Sequence, residues 1–166
     1  GSCDVNTLMT KLRFLAVGCE CDWIVLDHVS MVVSGLDVEE RKTLDILMTA
    51  LRQFVEQTGV GVVAVSHLKC NSGKDSFNEG GKVSLTDLRG SSGLEQLSDV
   101  VIASERNQQE EDASKADITQ FRILKNRPFG VVVLAGKARY DRQTGSLLPY
   151  DETLDAVPDD LEDIPF

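Results

Sequence analysis

The segment Cys21-Asp22-Trp23-Ile24-Val25-Leu26-Asp27-His28 ends an apolar run in a carboxylate. A strand buried in a sheet can carry such an acid to its open end, where it suits a magnesium ion on a nucleotide. A second run, Val60-Gly61-Val62-Val63-Ala64-Val65, ends in Ser66-His67. An imidazole placed there can hydrogen-bond a terminal phosphate and signal to the loop that follows. That loop, 68–85, sets Lys69, Lys74 and Lys82 among glycines and serines, a pattern suited to phosphate contacts on a nucleic acid, although Asp75 and Glu79 dilute its positive field. Arg127, in Lys125-Asn126-Arg127-Pro128, can project from a strand end into a neighbouring subunit and stabilise charge on a transferring phosphoryl group. The guanidinium of Arg106 and the phenol of Tyr140 can sandwich a nucleobase. Each feature also has an ordinary counterpart: a loop-capping acid, a satisfied histidine, a solvated loop, a surface arginine, a packing pair. One pattern is missing. No G-x-x-x-x-G-K-[ST] occurs in the sequence, since Gly73-Lys74 and Gly81-Lys82 are followed by Asp75 and Val83. Without that nest of amides and its lysine, tight binding of β- and γ-phosphates is not expected.

The elements that must position these residues follow from periodicity. Residues 4–17 read as a helix capped by Asp4, with Val5, Leu8, Leu12 and Leu15 on its apolar face and Gly18 as its stop. Residues 22–27 read as a strand buried on both faces, because Trp23 to Leu26 do not alternate. The strongest helix spans about 38–58, with Leu44, Leu47, Met48, Leu51, Phe54 and Val55 at helical spacing and Gly59 closing it. A strand over 60–66, a short helix around 91–97 and a strand over 100–103 come next. Strands near 117–125, 131–140 and 146–149 complete the chain, the last two joined by a turn at Asp141–Gly145. Strand–helix–strand alternation predicts an α/β fold with a parallel sheet. Ligands of such sheets gather beyond the carboxyl ends of the strands, where Asp27 and His67 both fall.

Composition bounds the rest. The chain has 166 residues, 42% of them hydrophobic and 27% charged, enough for one domain with a core. No apolar run approaches a membrane span and no secretory signal is visible. The net charge of −10 is uneven: seven of the 27 acids lie in 151–166 with no base, leaving 20 acids against 17 bases before them. The body is near balance, so local basic loops can still meet a nucleic acid. Cys3, Cys19, Cys21 and Cys70 match no zinc spacing and read as structural thiols of a reducing cytosol.

Five segments taken together go further. Ile24-Val25-Leu26-Asp27-His28-Val29-Ser30, Ser66-His67-Leu68-Lys69, Thr86-Asp87-Leu88-Arg89-Gly90-Ser91, Gln96-Leu97-Ser98-Asp99 and Glu105-Arg106-Asn107-Gln108-Gln109 resemble, in this order and spacing, the helicase domain of the bifunctional primase–helicases of T-seven-type phages. These are ring-forming, RecA-like motors of the DnaB superfamily, with mitochondrial Twinkle a more distant relative. The resemblance implies a RecA-like parallel sheet flanked by helices, with antiparallel strands at the carboxyl end. It implies 5′-to-3′ translocation on single-stranded DNA and fork unwinding in a homo-hexamer or heptamer, fuelled by ATP or dTTP with Mg²⁺, in the cytoplasm of an infected bacterial host.

Residue by residue, the resemblance makes Asp27 the magnesium acid, His67 the phosphate sensor and Arg127 the arginine finger. Arg106 and Tyr140 become the base sandwich. Lys69, Lys74 and Lys82, with Arg89 and Gly90, become the DNA-contacting set, although Cys70-Asn71-Ser72-Gly73 is less basic than such a loop should be. It divides the chain into the carboxyl-terminal half of a motor domain, 1–150, and an acidic disordered tail, 151–166. In that tail Asp159, Asp160, Glu162, Asp163 and the terminal Phe166 would dock on the replicative polymerase. The P-loop and catalytic glutamate of such motors would precede residue 1, so these residues alone are expected to hydrolyse nothing. The P-loop strand would lie between the strand ending at His67 and the strand at 99–104, which are therefore expected not to pair directly. Half of a RecA-type recombinase, or a module that only docks a polymerase, are the competing readings.

Overall fold

The structure is a computed structural model that describes residues 4–32, 37–68, 77, 79–88 and 92–151. The chain divides into two compact units. One comprises Gly1–Cys70, Ser84–Val101 and Lys125–Phe129, the other Asn71–Val83, Ile102–Leu124 and Gly130–Phe166.

In the first unit, α1 (Val5–Arg13) starts at Asp4, whose carboxylate accepts the backbone N–H groups of Asn6 and Thr7 at 2.9 and 3.0 Å. Those donors have no partner inside a helix, which is why the acid caps it. The expected helix over 4–17 is interrupted: Phe14–Gly18 form a π-helical turn. Leu8, Met9 and Leu12 are buried, while Phe14 and Val17 are exposed. The long helix α2 (Asp37–Thr58) buries Leu44, Leu47, Met48, Leu51 and Phe54, the stripe its spacing predicts. Val29 and Leu94 join the same core, with Leu97 packed against it. Leu94 and Leu97 come from α3 (Ser92–Leu97).

β1 (Trp23–Leu26) and β2 (Gly61–Ala64) form a two-stranded parallel sheet, registered from Trp23 opposite Gly61 to Leu26 opposite Ala64. The expectation that β1 is buried on both faces is not met. Its residues alternate, with Ile24 buried but Trp23 70% and Val25 68% exposed. Val63 and Val65 are exposed as well, so only one face of this sheet meets the core. The Trp23 ring lies over Gly61, where a Cβ would come within 2.4 Å of ring carbon Cε3; that close approach needs glycine.

β3 (Val100–Glu105), β4 (Ile118–Asn126), β5 (Val133–Asp141) and β6 (Ser146–Tyr150) form a second sheet in that order. β4 pairs with β5 and β5 with β6 antiparallel, with a register break at Phe121/Arg122. The β5–β6 connection is the expected turn, in which Asp141 accepts from the Gln143 N–H and the Thr144 hydroxyl. A single helical turn, α4 (Ala113–Ala116), precedes β4. The direct pairing of β2 with β3, which would contradict the expected topology, is not formed among the described residues. Cys19 and Cys21 are free thiols; Cys3 and Cys70 lie outside the described residues. Among the described residues no helix is long and apolar enough to cross a membrane.

Glu105 is the buried acid of the second unit. Its carboxylate accepts the Val83 N–H at 2.8 Å, Gln120 Nε2 at 3.0 Å and Arg122 Nε and Nη2 at 3.1 Å each. Burial by itself raises this carboxyl, but Arg122, the Val83 amide and Gln120 outweigh it and hold it below its ordinary value. A depressed carboxyl stabilises the fold above its unfolded value, and that contribution disappears as pH falls through the folded one. The stability gap between the wild type and Glu105→Gln should therefore be full near neutrality. It should narrow as pH falls below the ordinary glutamate range and through the depressed folded value, followed by urea denaturation; a pH-independent gap would contradict the charged network. On α2, Leu47→Ala should cost about 2–5 kcal/mol in the same assay. The neighbouring Ile46→Ala, at a site 59% exposed, should stay within roughly 0.5 kcal/mol.

Candidate functional site

The parallel ladder continues past both strands. The Val65 N–H donates to the Leu26 carbonyl and the Val29 N–H to the Val65 carbonyl, each at 2.9 Å. These two bonds bring the end of β1 against the end of β2. His28 and His67 meet there, ring centroids 4.2 Å apart and planes at 60°, and His28 Nδ1 is hydrogen-bonded to Ser30 Oγ at 2.6 Å. Asp27 is exposed beside them. The structure thus brings the ends of the two strands together, and it is His28, the neighbour of Asp27, that touches His67. Among the described residues no group of three His, Cys, Asp or Glu side chains could hold a metal. One exposed carboxylate still fits magnesium, which keeps several waters and takes one or two carboxylates beside phosphate oxygens. The arrangement suits an ion arriving with a nucleotide better than a resident all-protein site.

Arg127 is also in the first unit. Its Nη1 lies 3.3 Å from Asp99 Oδ1, its Nη2 donates to the Gln96 carbonyl, and its own N–H donates to the Asp99 carbonyl at 2.8 Å. Lys125 Nζ takes the Glu95 and Gln96 carbonyls. Both cations thus satisfy carbonyls that the end of α3 leaves unpaired. Asp99 is shared: Arg52 Nη1 on α2 sits 2.8 and 2.7 Å from its two oxygens. Arg127 is therefore tethered within its own chain.

In the second unit Arg106 lies over the Tyr140 ring, 5.7 Å from its centroid. Arg106 Nε donates to the Ala116 carbonyl at 2.6 Å and its Nη2 to Asp117 at 2.7 Å. Arg142 takes the same carboxylate at 2.8 and 3.0 Å, and the Tyr140 N–H donates to the Asp117 carbonyl at 2.8 Å. Arg142 hydrogen bonds are the main reason that the Asp117 carboxyl sits below its ordinary value; burial opposes them, and the charges of Arg142 and Arg106 add to them. The Arg106–Tyr140 pairing expected from the sequence exists, but the partners contact each other. A base between them needs two stacking layers, about 7 Å, so the pair must part to admit one.

Lys82 is exposed. Lys69, Lys74, Arg89, Gly90, Asp159, Asp160, Glu162, Asp163 and Phe166 lie outside the described residues. The sequence reading missed Asp99, Glu105, Asp117 and Arg142. Glu105 carried a usable signal: an acid closing the apolar strand Val100–Ala103, with Gln120 and Arg122 two apart on the next strand. Asp99 and Asp117 each directly precede a strand, but their arginines lie between 11 and 47 residues away, beyond any local pattern.

A profile of the DnaB-like helicase C terminal domain matches residues 1–143. The chain is 44% identical over 151 residues to the DNA helicase/primase of Enterobacteria phage T3, an alignment that takes in 90% of this chain and 26% of that protein. Among solved structures it superposes on an ATPase domain with a TM-score of 0.70 and 21% identity, covering 89% of this chain and 52% of the other. That likeness speaks to the fold, and the RecA-like α/β class read from the sequence stands. The chain spans about a quarter of the T3 protein and about half of the solved ATPase domain. From the extent of the profile match and the identity to the T3 protein, the chain belongs to the DnaB-like helicase C-terminal domain family.

Proposed function

We propose that this chain is the carboxyl-terminal part of a phage replicative DNA helicase. In this reading the protein is a hexameric or heptameric ring that hydrolyses ATP or dTTP to move 5′ to 3′ along single-stranded DNA and open the fork. The observation that carries the reading is the convergence of the β1 and β2 ends, where Asp27 and the paired rings of His28 and His67 sit at the carboxyl edge of a parallel sheet. Family membership and the 44% identity to a DNA helicase/primase support it.

The roles follow from the chemistry. Asp27 would hold Mg²⁺, which would supply charge neutralisation for a transferring phosphoryl group. His67, against His28, would sense the terminal phosphate. Arg127 would exchange Asp99 and the Gln96 carbonyl for phosphate oxygens of a nucleotide held by the adjacent subunit. Arg106 and Tyr140 would part to stack on the base, and Asp117 would hold Arg106 in plane meanwhile. Lys82, with Lys69, Lys74, Arg89 and Gly90, would contact single-stranded DNA. The acidic segment with Asp159, Asp160, Glu162, Asp163 and Phe166 would dock on a basic surface of the replicative polymerase. The 166 residues lack a phosphate-gripping loop, so by themselves they should bind partners without turning over nucleotide.

In the full-length protein, Asp27→Asn should abolish magnesium-dependent hydrolysis and Arg127→Ala should lower it about 10³-fold. Rings mixed from the two variants should recover part of the activity, because an intact acid then meets an intact arginine from a neighbour. Steady-state hydrolysis by mixed rings decides: no recovery, or an Arg127→Ala ring of normal rate, rejects the finger. Deleting residues 151–166 should weaken polymerase binding, and the wild-type interaction should itself weaken from low salt to about 0.15 M, where exposed charges are screened within roughly 8 Å. Unchanged binding by the deletion at low salt rules out the tail as the dock.

A further inference from the structure

Three consecutive residues, Glu105-Arg106-Asn107, divide their contacts between two structures. Alternate residues of an extended chain face opposite sides. On one side the Glu105 carboxylate and the Asn107 main chain hold the described end of the long loop. The Glu105 carboxylate takes the Val83 N–H at 2.8 Å. Asn107 forms an isolated antiparallel bridge with Glu79. Next to that bridge Gly80 adopts φ 84°, and a Cβ there would press to 3.3 Å on the Asn107 Cβ. The exposed Lys82 is held between these two anchors. On the other side Arg106 takes the Ala116 carbonyl and Asp117 and lies over Tyr140.

The loop anchor is itself rigid. Glu105 is buried and braced by Gln120 and Arg122 from β4. A buried carboxylate that accepts a loop amide holds that loop tightly, because losing the bond strands a desolvated charge. A shift of Arg106 is therefore passed to its two chain neighbours, and the loop amide and the Glu79 bridge must follow or break.

We propose that Glu105 and Asn107 are positioning residues that couple nucleotide contact at Arg106 to the placement of the Lys82 loop on single-stranded DNA. The proposal rests on the functional reading above and adds to it a second route, separate from the strand-end histidines. Coupling of this kind is reciprocal: nucleotide tightens DNA binding by the same factor by which DNA tightens nucleotide binding.

The test uses the full-length protein, a non-hydrolysable nucleotide analogue and a fluorescent oligothymidylate. The quantity read is the ratio of DNA dissociation constants without and with analogue. In the wild type the analogue should tighten DNA binding at least about fivefold. Glu105→Gln removes the charge that holds the Val83 amide. Gly80→Ala penalises the left-handed backbone that Gly80 adopts and adds a close contact with Asn107, at an exposed site. Both should bring the ratio to within about twofold of one, and hydrogen exchange at the Val83 amide should lose its response to the analogue. If Glu105→Gln does not fold, Gly80→Ala decides. A wild-type ratio in the variants overturns the proposal and leaves the helicase reading intact. A ratio that falls equally in Thr119→Ala, a buried β4 site outside the clamp, overturns it as general loosening. A wild type that binds no oligothymidylate with the analogue present sinks the functional reading, and the coupling with it.

Discussion

Two backbone hydrogen bonds, Val65 to Leu26 and Val29 to Val65, hold the candidate chemistry together. A parallel pair has evenly spaced, slanted bonds, so extending the ladder one step beyond each strand fixes both chain directions where the side chains turn outward. Val29, almost wholly buried, pins the exit of β1 into the core under α2. Asp27 and His28 therefore cannot drift from Ser66 and His67 without uncovering apolar surface. The helices matter to function largely through this: the Leu44–Phe54 stripe is the floor on which the strand ends stand.

The sequence was most legible where a local rule dictates the answer. The cap at Asp4, the stripe of α2 and the turn at Asp141–Gly145 each depend on residues within a few positions of one another. The strand-end acid and histidine were legible for the same reason. What stayed hidden depended on distant partners. The run Trp23–Leu26 reports which environments its side chains accept, not whether a second layer covers them, so one exposed face could not be foreseen. The π-helical turn at Phe14 has no compositional mark. The guanidinium–carboxylate pairs of Arg52 with Asp99 and Arg142 with Asp117 close over long stretches of chain. Arg106 and Tyr140 were legible as a pair but not in their separation, which is set by Asp117.

Carboxylates in both units are used in the same way. Asp99, Glu105 and Asp117 each gather cations or amides from separate segments. They fix elements that have little apolar surface of their own: a strand end, a loop end and an aromatic pair. Apolar packing builds the body of the first unit, whereas the second is braced largely by charge-assisted hydrogen bonds. Such bonds are directional and short-ranged, which suits parts that must be held in one geometry and released from it whole.

The doubly claimed Asp99 illustrates what release involves. A half-exposed carboxylate such as Asp99 gains only modestly from any one cation. Asp99 has two arginines, and Arg52 already spans both of its oxygens. Arg127 can therefore leave for another anion while Asp99 remains neutralised, and the net number of ion pairs does not change. The departure becomes an exchange between anions of like charge. Such an exchange would run in either direction with little bias, as the finger role proposed for Arg127 would require.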